Sequence, residues 1–167
     1  MPKRPSLTYG LIALCLALAT PAVARDSLGV YGKWGAFRDP AVPRCYAIAM
    51  AEPSTRERQF QPYADVGSWP KANTRGQVHF RLSRAIAANS RVALIISGQR
   101  FELSGGGGDA WAADKRMDAA VVAAMRSASE MTVSARDGAG RLFSNTYRLE
   151  GAASAMDAAA LGCAQLR

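Results

Sequence analysis

Residues 77–84 read QVHFRLSR, and this stretch decides the fold class. Its apolar residues Val78, Phe80 and Leu82 occupy every second position, and polar residues such as His79 stand between them. Successive side chains of a β-strand point to opposite faces of the sheet. The alternation therefore predicts an antiparallel strand with one face buried and the other toward solvent.

Segments on both sides of this stretch predict further strands. The run RVALIIS at 91–97 is almost continuously apolar, as a central strand is, and Gly98 and Gln99 turn it into RFELS at 100–104. This pair predicts a β-hairpin. Other alternating or apolar segments predict strands at 30–37, 45–50, 63–69, 131–136 and 141–149. The last two flank a glycine-containing turn at 137–140.

Two segments predict helices. Asp114 can cap a helix that runs to Ala128, and its apolar residues recur every three or four positions. Near the end of the chain, SAMDAAALGC at 154–163 predicts a short helix that ends at Gly162, which places Cys163 just after it. Many short strands with two helices predict a mainly β chain, an antiparallel β-sandwich with one mid-chain helix and one short C-terminal helix.

The first 24 residues predict a signal peptide. Two cations, Lys3 and Arg4, precede the apolar run LIALCLALAT at 11–20, and the A-x-A pattern at 22–24 predicts cleavage between Ala24 and Arg25. The apolar run is short for a membrane span. Residues 25–167 are long enough for one domain, which we expect in the periplasm or at the cell surface.

The chain has three cysteines, and Cys15 lies within the predicted signal peptide. The remaining pair, Cys45 and Cys163, stands at opposite ends of one exported domain, so a disulfide is the simplest interpretation. A nucleophilic Cys45 would need a nearby base. A structural zinc site would show closely spaced cysteines, which this chain lacks.

Charge and aromatic residues suggest where a partner could bind. The formal net charge of +8 comes from scattered residues that never form a run of more than two, so we expect no nucleic-acid partner. The surplus is either a solubilising surface or a site for anionic lipid or lipopolysaccharide. The residues that would form such a surface are Tyr63, Trp69, Lys71, Arg56, Arg58 and Arg75, although core and loop packing is the simpler interpretation for the segment that holds Tyr63, Trp69 and Lys71.

No assembled catalytic or cofactor motif is present. His79 is the only histidine, which excludes multi-histidine zinc sites, and no G-x-S-x-G elbow marks a serine nucleophile. A solvent-facing histidine on a strand is the simpler interpretation. The glycine-rich GGGGD at 105–109 lacks the G-K-[ST] of a phosphate-binding loop and predicts a flexible hairpin loop. We expect no cofactor, no metal and no catalytic residue.

The order of several motifs resembles the invasion-associated locus B family of exported bacterial proteins. The matching segments are YGKWGAF, PRCYAIAM, YADVGSWP, VHFRLSR and the tail from DAAVVAAMRSASEMTVSA to YRLEGAASAMDAAALGC. This resemblance implies an immunoglobulin-like β-sandwich in the periplasm or at the cell surface. It also implies a link to host-cell invasion or virulence, and it carries over no catalytic residue.

These features lead to one main hypothesis and two alternatives. The main hypothesis is an exported, non-enzymatic envelope protein that binds an envelope or host protein or another envelope component. The first alternative is a periplasmic hydrolase that uses His79 with a nearby serine or aspartate. The second is a binder of anionic lipid or lipopolysaccharide, which would require the predicted basic residues to cluster on one face.

Overall fold

Ten antiparallel strands and two α-helices make up residues 25–164, which are the residues that the computed structural model describes. The strands are β1 (Asp26–Tyr31), β2 (Trp34–Asp39), β3 (Arg44–Met50), β4 (Tyr63–Trp69), β5 (Thr74–Arg81), β6 (Val92–Ile96), β7 (Gln99–Gly106), β8 (Asp109–Trp111), β9 (Glu130–Arg136) and β10 (Leu142–Arg148). The helices are α1 (Lys115–Ser127) and α2 (Ala152–Ala164). The predicted signal peptide and its cleavage site before Arg25 involve residues 1–24, which lie outside the described range.

The strands follow the order β1-β2-β3-β4-β5-β8-β7-β6-β9-β10. Strand β7 connects the two halves of this arrangement, because residues 99–103 pair with β6 and residues 104–106 pair with β8. A strand that passes from one sheet to another forms a corner between packed layers. The predicted mainly β, sandwich-like class with a mid-chain and a C-terminal helix is confirmed.

The alternation in β5 produces the buried core as expected. Val78, Phe80 and Leu82 are all buried within a single hydrophobic cluster. The second half of the sandwich covers this face, and the ring of Tyr147 in β10 lies 5.9 Å from the ring of Phe80. The helices cover the rest of the buried face: α2 packs on β1 to β4 and α1 on β5 and β6. The other face of β3, β4, β5 and β8 is left open.

Helix α1 is attached to the sheet through two aspartates. Asp114 caps its first turn as predicted, and its side chain accepts a hydrogen bond of 2.8 Å from the Met117 amide. Asp118 is buried and accepts a hydrogen bond of 2.8 Å from the Val78 amide in β5. Strand β8 pairs with β5 only at residues 79–81, so the Val78 amide has no partner in β8. The Asp118 carboxylate accepts its hydrogen bond instead.

Helix α2 lies unusually close to the first strands. A side chain at Gly151 would come within 1.9 Å of the Tyr31 carbonyl oxygen, and one at Gly162 would come within 2.5 Å of Leu28. The prediction that Gly162 ends the helix is wrong, since α2 continues to Ala164 and holds Cys163 in its last turn. Gly162 is needed for close packing on β1.

One turn differs from the predictions, and the predicted hairpin at 105–109 is confirmed as a tight one. The segment 30–37 contains a hairpin turn at Gly32 and Lys33, so its residues belong to two strands, β1 and β2. The glycine-rich segment 105–109 forms a tight hairpin, in which 105 and 106 still belong to β7 and Asp109 begins β8. The physical reason is the same in both places: glycine accommodates the left-handed backbone of a tight turn, with φ +54° at Gly32 and +59° at Gly107.

Neither described helix is long and apolar enough to cross a membrane.

Candidate functional site

The open face of the sheet carries a charged and aromatic cluster centred on His79. The antiparallel register places Asp65 of β4 and Trp111 of β8 directly beside His79 on β5. Two residues further along β5, Arg81 lies opposite Asp109 of β8. Two consecutive strands, β4 and β5, and the more distant β8 therefore contribute to one surface.

Both nitrogens of the His79 ring are hydrogen-bonded to carboxylates. Nδ1 lies 2.8 Å from Asp65 Oδ2, and Nε2 lies 3.1 Å from Asp109 Oδ1. The second oxygen of Asp109 accepts a hydrogen bond of 2.5 Å from Arg81. The cluster contains two carboxylates, one guanidinium and one imidazole, so a protonated ring balances its charges.

Aromatic rings enclose this network from the solvent side. The His79 ring stacks on Trp111 with centroids 5.2 Å apart and meets the Tyr63 ring edge-on at 5.7 Å. The Arg81 guanidinium lies 3.9 Å above the Phe60 ring, a cation–π contact. His79 lies on the outward face of β5 as predicted, but its side chain is only 17% exposed and is therefore not freely solvated. The cause is the flanking rings, which residues 77–84 alone do not reveal.

The surroundings of His79 favour its charged form. Burial alone would lower its pKa, but the hydrogen bonds and charges of Asp65 and Asp109 outweigh burial and raise the pKa above 6.5. No serine or threonine hydroxyl among residues 25–164 is hydrogen-bonded to the ring. A ring with both nitrogens on carboxylates has none left to activate a nucleophile.

The second candidate is a cleft of about 400 Å³ between the helices and the ends of β4 and β5. This volume lies within the range of small-molecule sites. Apolar side chains from the sheet and from both helices line much of it: Val66, Pro70, Val122, Met156, Ala159 and Ala160. Cys163 forms part of the wall, so the disulfide lies directly beside the cleft.

The charged residues at the cleft are arginines. Arg126 of α1 donates hydrogen bonds of 2.6 and 3.3 Å to Asp157 of α2, which joins the two helices. The Asp157 hydrogen bond raises the pKa of Arg126, and the same bond lowers the pKa of Asp157. Arg75 of β5 is exposed and has no ion-pair partner within residues 25–164.

The structure divides the predicted surface residues into separate groups. Lys71 and Arg75 lie at the turn that follows Trp69, beside the cleft. Tyr63 lies at the opposite end of β4, about 20 Å away at the usual rise of a strand. Arg56 and Arg58 precede Tyr63 in a loop, where Arg56 donates a hydrogen bond to the Leu142 carbonyl. The basic residues therefore fall into two groups, one before β4 and one after it.

Sequence reasoning named His79, Tyr63 and Arg75 but missed most of the residues that build the two candidate sites around them. Asp65 and Asp109 lie 14 and 30 positions from His79, and only the strand register brings them together. No local signal marked the cleft, because its lining comes from a strand, a turn and two helices that are far apart in the sequence.

The predicted disulfide between Cys45 and Cys163 is present. Such bonds are typical of proteins that fold in oxidising compartments outside the cytoplasm. Within residues 25–164, no group of three or more His, Cys, Asp or Glu side chains is arranged to hold a metal ion.

Comparison of the chain with protein-family models, with curated proteins and with solved structures found no match. The resemblance to the invasion-associated locus B family therefore stays a prediction. The geometry of the two sites is what bears on function.

Proposed function

We propose that this chain is an exported, non-enzymatic protein of the cell envelope that works by binding, and that the cleft between α1, α2 and the β4–β5 turn is its binding site. The observation that carries the proposal is the cleft itself. The cleft combines apolar lining residues with Arg75, which is exposed and has no ion-pair partner within residues 25–164. A few polar groups in an otherwise apolar concavity are typical of ligand sites.

The state of His79 supports a role without catalysis. A serine hydrolase needs one imidazole nitrogen free to take the proton from the nucleophile. Here Asp65 and Asp109 engage both nitrogens, and aromatic rings flank the imidazole. The cluster resembles a structural network across three strands more than an assembled catalytic set.

The disulfide supports export to the periplasm or cell surface, together with the predicted signal peptide at 1–24. It links α2, which forms one wall of the cleft, to β3 in the sheet. A wall tied covalently to the sheet moves less relative to β3. A largely pre-formed site loses less conformational entropy on binding.

The experiment compares capture of envelope components by two tryptophan variants of α2. Ala160→Trp places a large ring at an exposed position that lines the cleft. Leu161→Trp adds a similar ring at the next residue, which is 72% exposed and does not line the cleft. Purified, oxidised protein is incubated with envelope extract, and the retained proteins and lipids are identified by mass spectrometry.

We expect one component that wild type and Leu161→Trp retain and Ala160→Trp loses. Thermal unfolding of both variants checks that they fold equally well. Identical retention by all three proteins would reject the cleft as the binding site. Turnover in a broad hydrolase screen that His79→Ala abolishes would instead establish the enzymatic alternative.

A further inference from the structure

We infer that the cleft binds a single-chain anionic lipid, with the alkyl chain against its apolar lining and the anionic headgroup on Arg75. This inference rests on the proposed function and specifies its ligand. It rests on three features: an uncommitted cation at the edge, an apolar interior of suitable size, and two polar wall groups that are already hydrogen-bonded within the protein.

The positive charge at the cleft favours an anionic ligand. Arg126 is already neutralised by Asp157 through two hydrogen bonds. Arg75 remains uncommitted among the described residues, and within residues 25–164 no acidic side chain lines the cleft. A guanidinium binds a carboxylate or phosphate with two parallel hydrogen bonds, which are stronger than neutral ones. The headgroup is therefore an anion held at the rim.

The apolar residues inside the cleft favour an alkyl chain. Val66, Val122, Met156 and Ala159 come from a strand and both helices, and all four contribute apolar side chains to the lining. Transfer of each CH₂ group from water to apolar side chains stabilises the complex. A volume of about 400 Å³ accommodates one chain and a small headgroup, in contrast to a large multi-chain lipid.

The polar groups of the wall favour a lipid over a peptide. The Gly76 amide donates a hydrogen bond of 3.0 Å to Ser68 Oγ, and the Thr74 hydroxyl donates one of 3.4 Å to the Ala72 carbonyl. These groups are therefore satisfied inside the protein. A bound peptide would bury its own amides and carbonyls against this wall, and each unpaired group would cost free energy.

The test uses dodecanoate as the probe and dodecanol as its uncharged counterpart, with binding measured by isothermal titration calorimetry. The protein is the oxidised, mature chain. Arg75→Gln removes the headgroup cation, and Arg116→Gln removes an exposed cation of α1 that does not line the cleft. Ala160→Trp and Leu161→Trp again form the matched pair for the interior.

We expect wild type to bind dodecanoate at least tenfold more tightly than dodecanol. Arg75→Gln should weaken dodecanoate binding by about tenfold or more, the usual scale for a hydrogen bond to a charged group, and leave dodecanol unchanged. Added salt should weaken binding of the carboxylate alone. Arg116→Gln and Leu161→Trp should match wild type, and Ala160→Trp should bind neither compound.

No binding of dodecanoate, or equal binding of the acid and the alcohol, would overturn the inference. So would tighter binding of a short apolar peptide with a free carboxylate, if Ala160→Trp abolished it. The capture experiment separates the two proposals. An envelope component lost only from Ala160→Trp, together with no dodecanoate binding, would reject the lipid and keep the binding function.

Discussion

Cys163 in α2 is bonded to Cys45 in β3, which brings their Cα atoms within 5.6 Å although 118 residues separate them in the chain. The bond joins the last helix to the first half of the sheet. It also holds the wall of the cleft that α2 provides. A single covalent link therefore connects the stability of the fold to the geometry of the candidate site.

Loss of this link should destabilise the domain. In the chain-entropy account, a disulfide that closes a loop of about a hundred residues contributes about 4 to 5 kcal/mol, and measured values run from about 2 to 5 kcal/mol. We expect Cys45→Ala/Cys163→Ala to lower the free energy of unfolding by about this amount in urea titrations. Thiol labelling of the denatured mature protein should detect no free cysteine before reduction.

Wild type titrated in a strong reductant is the control for this variant. Its unfolding midpoint should fall to that of the double alanine chain, because both lack the cross-link. A double variant as stable as oxidised wild type would contradict the structural role of the bond.

The network of His79 should make stability depend on pH in the neutral range. The folded state raises the pKa of His79 above its ordinary 6.5 through Asp65 and Asp109. The stabilisation is therefore complete below about pH 6.5 and is lost as pH rises through the folded pKa. Urea unfolding from about pH 5 to about pH 9 should show this decline, and His79→Gln should abolish it.

His79 is the only histidine in the chain, which makes this assignment direct. Asp65→Asn leaves the ring with one carboxylate and should reduce the decline without removing it. An equal pH dependence in wild type and His79→Gln would show that other groups cause it.

The Asp137 carboxylate should make stability depend on pH in the acidic range. Here stability should fall as the pH falls, the opposite direction to that of His79. Burial alone would raise the pKa of Asp137, but hydrogen bonds from Arg84 and from the amides of Arg141 and Ala139 lower it to about 2. Ionised Asp137 therefore stabilises the folded domain above its ordinary pKa of 3.8, and this stabilisation is lost as the pH falls toward the folded pKa. Asp137→Asn should therefore destabilise the domain at neutral pH and match wild type near pH 2.

Glu102→Gln is the control for the acid titration, because its exposed carboxylate faces only Arg91 at 3.7 Å. This variant should follow wild type across the whole range. An Asp137→Asn chain with an unchanged acid midpoint would contradict the stabilising role of the Asp137 hydrogen bonds.

The contact between Asp118 and the Val78 amide should anchor α1 to the sheet. Asp118→Ala leaves that buried amide without its partner, which costs about 1 to 3 kcal/mol in the free energy of unfolding. Asp118→Asn keeps an oxygen at the same position and should restore most of the loss. Urea titration and hydrogen exchange at Val78 measure both effects. Equal losses in the two variants would contradict the hydrogen-bond account.

Local patterns were sufficient for most of the secondary structure. The alternation at 77–84 and the apolar run at 91–97 predicted β5 and β6, and Asp114 predicted the start of α1, all in agreement with the structure. The hairpin at Gly32 was missed because a glycine between two apolar segments is also found inside single strands. Gly162 was misassigned because its packing partner Leu28 is remote in sequence.

Neither candidate site follows from such local patterns. His79 was visible as a residue, but its partners are set by the register of β4, β5 and β8. A shift of one residue in either pairing would send Asp65 or Asp109 to the other face. The residues predicted to form one surface are separated for a related reason. Tyr63 and Trp69 are close in sequence but lie at opposite ends of β4.

The amino-acid order alone was enough for the strand and helix types, the half-buried character of β5 and the pairing of Cys45 with Cys163, because each depends on a few neighbouring residues or on a count. Only the tertiary structure revealed which carboxylates surround His79 and that a cleft lies beside Arg75. Both arise where strands and helices distant in sequence meet. Their positions are set by long-range packing, and no short segment of the chain contains that information.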